Sequence, residues 1–207
     1  MSRRYYLMGV VGVGKSTLRE QLGAALPDAS IYAEWPEGMA AEVGHAIASM
    51  TAENAEEIQQ WIFGQLAEKN ALIQADSSSQ LIIDRSPLDT FAFYPPQQWQ
   101  QRAQQMLAAL ASTQLAAGQL LLLTGSPRQM HARMDSSRGY DCNGLAQQQS
   151  AFEILADWLA EFHGYHVSRI DARDASPRQV LKQAQAIISS DYRPLDLQAI
   201  VEDLARG

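Results

Sequence analysis

Cysteine occurs once in the 207 residues, at Cys142, and lysine three times, at Lys15, Lys69 and Lys182. One thiol cannot close an internal disulfide, so the chain needs no oxidising compartment and is not a disulfide-stapled scaffold. Apolar runs such as Leu120 to Leu123 fall far short of the ~20 residues that a membrane-spanning helix requires. Met1 to Tyr6 leads straight into a strand-like segment with no secretion signal. These absences point to a cytoplasmic protein with no membrane partner. Positive charge is also in deficit: 16 Lys and Arg stand against 23 Asp and Glu, a formal net charge of -7. That balance weighs against a broad basic surface gripping nucleic acid by counterion release. The basic residues after Gln119 are mostly arginine, which leaves room for a local basic groove.

What is present is the composition of a globular domain, 46% hydrophobic and 19% charged, at a length that suits one core. Strand-like and helix-like segments alternate. Tyr5 to Met8, Ile31 to Ala33, Leu81 to Ile83, Gln119 to Leu123 and Tyr165 to Ile170 read as strands. Ser16 to Leu26, Ala55 to Gln74, Gln97 to Ala117 (closed by Gly118), Ser150 to Phe162 and Ser176 to Ile188 read as helices. The alternation predicts an α/β fold, a parallel β-sheet of about five strands with helices on both faces. We divide the chain into a main domain, residues 1–190, and a helical tail, residues 191–207. The tail, with Leu195 to Ala205 as one further helix, docks on the body or on a partner, or is a poorly ordered terminus.

Gly9-Val10-Val11-Gly12-Val13-Gly14-Lys15-Ser16-Thr17 matches G-x-x-x-x-G-K-[ST] between the first strand and the first helix, the context that this motif requires. Glycines at Gly9, Gly12 and Gly14 let the backbone amides, Val13 included, turn inward around phosphates. The helix amino terminus at Ser16 and Thr17 adds its positive end, Lys15 neutralises phosphate oxygens, and Ser16 can hold Mg2+. The loop predicts binding of ATP or GTP.

A second set of residues narrows the chemistry. Asp84 ends a buried strand, where a parallel sheet opens its ligand crevice, and is placed to reach the magnesium; Arg85 follows it and faces phosphate or a reacting oxygen. Glu34 closes the second strand at the same rim and is a candidate general base for a hydroxyl, with Glu37 as its neighbour and competitor. His45, His131, His163 and His166 show no metal-ligand spacing.

Over Tyr5 to Ile188 the chain resembles the deoxynucleoside kinases, within the wider group of P-loop kinases that includes the thymidylate kinases. The resemblance rests on the phosphate loop, on Glu34-Trp35, on Asp84-Arg85-Ser86 and on an arginine-bearing lid at about residues 128–144. It implies a P-loop kinase fold, ATP and Mg2+ as cofactors, Glu34 as the base, Asp84 with Ser16 at the metal, and Arg85 at the reacting centre. Arg133 and Arg138 are then the phosphate clamps of the lid. Trp35, Gln65 on the helix before the Asp84 strand, and Asp89 are the implied acceptor-binding residues. Tyr140 stands where the family pattern has a further arginine, and Cys142 and Asn143 where it has an acid for the sugar.

The acceptor stays open among a free nucleoside, a nucleoside monophosphate and a hydroxymethylpyrimidine within DNA. Members of the family are often dimers, so the resemblance allows a homodimer. A regulatory ATPase is the more distant alternative, since Arg85 occupies the place where a second acid would activate water and no Asn-Lys-x-Asp motif occurs.

Overall fold

Tyr5, Tyr6, Leu7 and Met8 are all essentially inaccessible, and a strand buried on both faces belongs in the middle of a sheet. The computed structural model, which describes residues 2–35, 39, 42, 51, 53–111, 113–134 and 141–207, places their strand, β1 (Arg3–Met8), there. β2 (Ala29–Tyr32), β3 (Gln80–Asp84), β4 (Gln119–Thr124) and β5 (Ser168–Asp171) complete a five-stranded sheet in the order β2-β3-β1-β4-β5, every pair parallel. Leu81 to Ile83 and Leu120 to Leu123, on the strands flanking β1, are as buried as β1 itself. Strand order reverses around β1, which opens a crevice at the carboxyl ends of the strands.

Successive residues of β1 report both faces of the sheet, because side chains alternate along a strand. The Tyr5 hydroxyl donates to Ile188 O at the end of helix α6 (Pro177–Ile188), whereas the Tyr6 hydroxyl donates to Ala116 O. Helix α1 (Lys15–Ala25) packs against α6. A second group joins α2 (Ala55–Ala75), α3 (Trp99–Leu110) and α7 (Leu197–Arg206). Two further helices among the described residues are α4 (Pro127–Arg133) and α5 (Cys142–His163), and Pro87–Phe93 forms a 3-10 helix directly after β3. Ser176 and Gln179 form a capping box at α6, with Pro177 in its first turn.

Two helices differ from the sequence reading. The expected helix Gln97 to Ala117 stops at Leu110, although its glutamine and alanine content favours helix throughout. Side chains from elsewhere take the backbone groups beyond it. Asn70 donates to Gln114 O (2.6 Å) and accepts from Ala116 N (2.8 Å), and Gln198 accepts from Leu115 N (3.0 Å). Gly118 does not close that helix; it lies under Tyr6, where a Cβ would stand 2.5 Å from the ring, and bridges to Leu195. The helix expected from Ser150 begins earlier, at Cys142, because the Asp141 side chain accepts from Gly144 N and caps it.

The tail is docked on the body. Leu195, Leu197, Ile200 and Val201 are at most 1% exposed, and α7 packs on α3. Tyr192 fixes the approach to it: its hydroxyl accepts from Arg4 N (2.9 Å) and its ring meets Tyr5 edge-on. Ile200→Ala is therefore expected to cost ~2–5 kcal/mol, the range for truncating a fully buried aliphatic side chain. Chemical denaturation followed by circular dichroism checks this, and an unchanged midpoint would show that the tail adds nothing to the core.

Candidate active site

The phosphate loop joins β1 to α1 through backbone that side chains disfavour. Gly9 has φ 133°, and a Cβ there would stand 2.6 Å from Leu123 O on β4; Gly12 has φ 78° and packs against Met134, just past α4. Gly14 leads directly into α1, Val13 is buried, and Thr17 is exposed in the first turn of the helix, where it lines the cleft. Lys15 curls over the loop, donating from Nζ to Gly9 O (2.8 Å) and Val10 O (3.0 Å). Burial, reinforced by the positive charge of Arg85, lowers its pKa to about 8 against the pull of Asp84, Asp89 and Glu34.

Asp84 is buried at the end of β3, one register step past Ile83 and opposite Leu7 of β1. Its Oδ2 accepts from Ser16 Oγ (3.2 Å) and pairs with Arg19 (3.4 Å), whereas its Oδ1 is buried without a hydrogen-bond partner. A hydroxyl and a carboxylate oxygen side by side, one carboxylate lone-pair set unused, make the hard oxygen donor set that Mg2+ takes in nucleotide sites, where phosphates and water supply the other ligands. The residues present fit a magnesium ion.

Arg85 has φ 68°, unusual for a non-glycine residue, a strain of about 1–3 kcal/mol that surrounding contacts must hold. Its main-chain N–H donates to Leu7 O (2.9 Å). Its side chain donates from Nε to Glu34 Oε1 (2.5 Å) and from Nη1 to Asp89 Oδ2 (3.3 Å) and Gly9 O (3.4 Å). Asp89 is positioned by a capping box, its Oδ1 accepting from Ser86 N (3.0 Å) while Ser86 Oγ accepts from Leu88 N (3.1 Å). Burial raises the Asp89 pKa, although Arg85 and Lys15 oppose it. For Glu34 the balance is reversed: burial favours the neutral acid, but Arg85 and Lys15 outweigh it and hold the carboxyl below the ordinary value.

A cleft of about 550 Å3 gathers these groups. Val11 to Thr17, Glu34, Arg85 and Arg133 line one part, and Ala172, Ala175, Pro177 and Val180 an apolar part after β5. The structure thus brings Lys15, Ser16, Thr17, Glu34, Arg85 and Arg133 to one space, with Asp84 bonded to Ser16. Trp35, Gln65 and Asp89 do not line this cleft; Asp89 instead caps the 3-10 helix and holds Arg85. Gln65 lies on α2, its Oε1 buried and unpartnered. Arg138 and Glu37 lie outside the described residues.

Lys69, like Arg19, is a site residue that the sequence reading passed over. It is 6% exposed on α2 and donates to Asp84 O (2.7 Å) and Glu34 O (3.1 Å). The available signal was a lysine among buried α2 positions, between Leu66 and Ile73, in a chain with so few lysines.

The AAA domain model matches residues 4–178. The chain belongs to the AAA domain family. The fold of this AAA domain is similar to that of a deoxyadenosine kinase from M. mycoides with products dCMP and dCDP bound, at a TM-score of 0.67 and 14% identity, covering 91% of this chain and 100% of that one. The same kinase with bound dATP matches at a TM-score of 0.66 and 13% identity, covering 90% of this chain and 99% of that one. A thymidylate kinase from Candida albicans matches at 0.67 and 15%, covering 94% of this chain and 98% of that one. No curated protein sequence matches the chain. At these identities the likeness is one of fold, and it agrees with the kinase-like α/β architecture expected from the sequence. No helix among the described residues is long and apolar enough to cross a membrane.

The Glu34–Arg85 pair makes a pH prediction. Glu34 has a folded pKa below its unfolded value, so the pair adds stability above the ordinary carboxylate range and loses it as pH falls through the folded value. Arg85→Gln should raise the Glu34 titration midpoint, read by carboxylate NMR, and remove that part of the acid dependence of stability. A Glu34 midpoint unmoved by the substitution would contradict the pairing.

Proposed function

We propose that the chain is a magnesium-dependent kinase that transfers the terminal phosphate of ATP to a hydroxyl of a deoxynucleoside-like acceptor. The observation that carries this reading is the juxtaposition, in one cleft, of the phosphate loop with Glu34 and Arg85. A binding module or switch needs the loop; a carboxylate held ionised in the same cleft suits the acceptance of a proton.

In the proposed step the acceptor hydroxyl gives its proton to Glu34 as its oxygen bonds to the terminal phosphorus. The bond from that phosphorus to the bridging oxygen breaks, and ADP leaves with the electron pair. Loop amides and Lys15 hold the β and γ phosphates, and Lys15 must turn from the Gly9 and Val10 carbonyls to do so. Arg85 and Arg133 stabilise charge spreading over the transferred group, and Arg138 is assigned the same task. Magnesium, held by Ser16 and Asp84, would neutralise the phosphate oxygens. The apolar wall at Ala172, Ala175, Pro177 and Val180 suits the flat face of a nucleotide base.

On the acceptor side, the unpartnered Oε1 of Gln65 is suited to reading a base edge, with Trp35 as an aromatic surface beside Glu34. Both oxygens of Asp89 are taken by Ser86 and Arg85, so its part is to hold Arg85 in place.

Transfer of labelled terminal phosphate from ATP to a panel of nucleosides, nucleoside monophosphates and DNA bearing hydroxymethylpyrimidines tests the reading. A labelled nucleoside is expected, with transfer lost in Lys15→Ala and turnover lowered ~100-fold in Glu34→Gln at unchanged ATP affinity, the scale of general-base catalysis. A labelled monophosphate or DNA would keep the kinase and change its acceptor. ATP hydrolysis with no acceptor labelled would contradict the proposal.

A further inference from the structure

The ladder between β2 and β3 ends at Tyr32 opposite Ile83. Glu34 lies two residues past that last pair, so no strand-to-strand hydrogen bond fixes the stretch bearing the proposed base. Lys69 supplies the missing link. From one turn of α2 its Nζ reaches the main-chain carbonyl of Glu34 (3.1 Å) and that of Asp84 (2.7 Å), tying the end of β3 to the chain just beyond β2.

The identity of the side chain is informative. Burying an ammonium is costly, and a hydrophobic residue would fill a helix position at 6% exposure at lower cost. Among the described residues Lys69 forms no ion pair in return; both acceptors are main-chain carbonyls. The carboxylates of Asp84, Glu34 and Asp89 favour its charge at longer range, against Arg85. Its cost is matched to its location: three donors on a flexible stem can bond two carbonyls, one at the end of β3 and one just past β2, which no apolar side chain can do.

We infer that Lys69 is a positioning residue that anchors the Glu34 main chain to the end of β3, so that the Glu34 carboxylate stands at a fixed place beside Arg85 and the metal acid Asp84. Lys69 lines no part of the large cleft, so it acts through Glu34 and not on nucleotide or acceptor. The inference rests on the kinase reading, and the test separates the two.

Steady-state transfer kinetics on the full chain would compare wild type, Lys69→Met, Lys69→Arg, Glu34→Gln and the double variant Lys69→Met/Glu34→Gln. Lys69→Met is expected to lower kcat ~10–100-fold with the KM for ATP unchanged, the scale at which loss of an orienting partner acts. In the Glu34→Gln background the same substitution should change kcat very little, because the group it positions is already gone. A structural role alone would lower activity by the same factor in both backgrounds, and that outcome overturns the inference, as does an unchanged kcat in folded Lys69→Met. If Lys69→Met fails to fold, Lys69→Arg, which keeps the charge but not the compact donor, carries the same criterion of lowered kcat at constant KM. No transfer by the wild type to any acceptor would overturn the kinase reading and this inference together; wild-type transfer with indifferent Lys69 variants would overturn only the inference.

Discussion

The largely buried guanidinium of Arg85, held between Glu34 and Asp89, is the contact on which the site depends. Removing a guanidinium from water is expensive unless its donors are satisfied, and here two carboxylates and the Gly9 carbonyl satisfy them. The same contacts hold the residue in left-handed backbone that a non-glycine side chain resists. Asp89 can serve as a fixed partner because the 3-10 helix after β3 caps itself on Ser86 and Asp89. The local chain chemistry of a turn thereby sets the orientation of a side chain in the cleft.

The sheet provides the frame for this arrangement. With β1 central and its neighbours β3 and β4 parallel to it, the phosphate loop, Asp84 and the residues after β5 all emerge at one edge. Acidic residues predominate in the chain as a whole, yet Lys15, Arg85 and Arg133 converge on the cleft. A walled cleft concentrates the field of the charges that line it, so an acidic protein can still present a cationic site to phosphate. Glu34 and Asp89 pair directly with Arg85, whereas Lys15 bonds main-chain carbonyls and feels the carboxylates through their charge alone.

Much of this was legible in the residues. Buried strands announce themselves by continuous apolar runs such as Leu120 to Leu123, and the phosphate loop by glycine spacing together with Lys15. Asp84, Arg85 and Glu34 could be placed because strand ends in a parallel sheet share a rim. The end of α3 was not legible, because Asn70 and Gln198, distant in sequence, take the backbone groups that helix would otherwise use. Asp89 was read as an acceptor contact, whereas its oxygens are engaged by Ser86 and Arg85, a partnership that depends on the turn geometry. Lys69 escaped notice because its partners are main-chain carbonyls, which leave no mark in a pattern of side chains.

The proposed kinase would hold a magnesium nucleotide in the cleft, with its phosphates on the loop and its metal at Ser16 and Asp84. Calorimetric titration of ATP into the protein, with and without magnesium, and into Asp84→Asn, tests it most directly. Saturable binding is expected, strengthened at least ~10-fold by magnesium in the wild type and without that dependence in the variant, where the ionic metal ligand is gone. Failure to bind ATP, or binding equally indifferent to magnesium in both proteins, would contradict it.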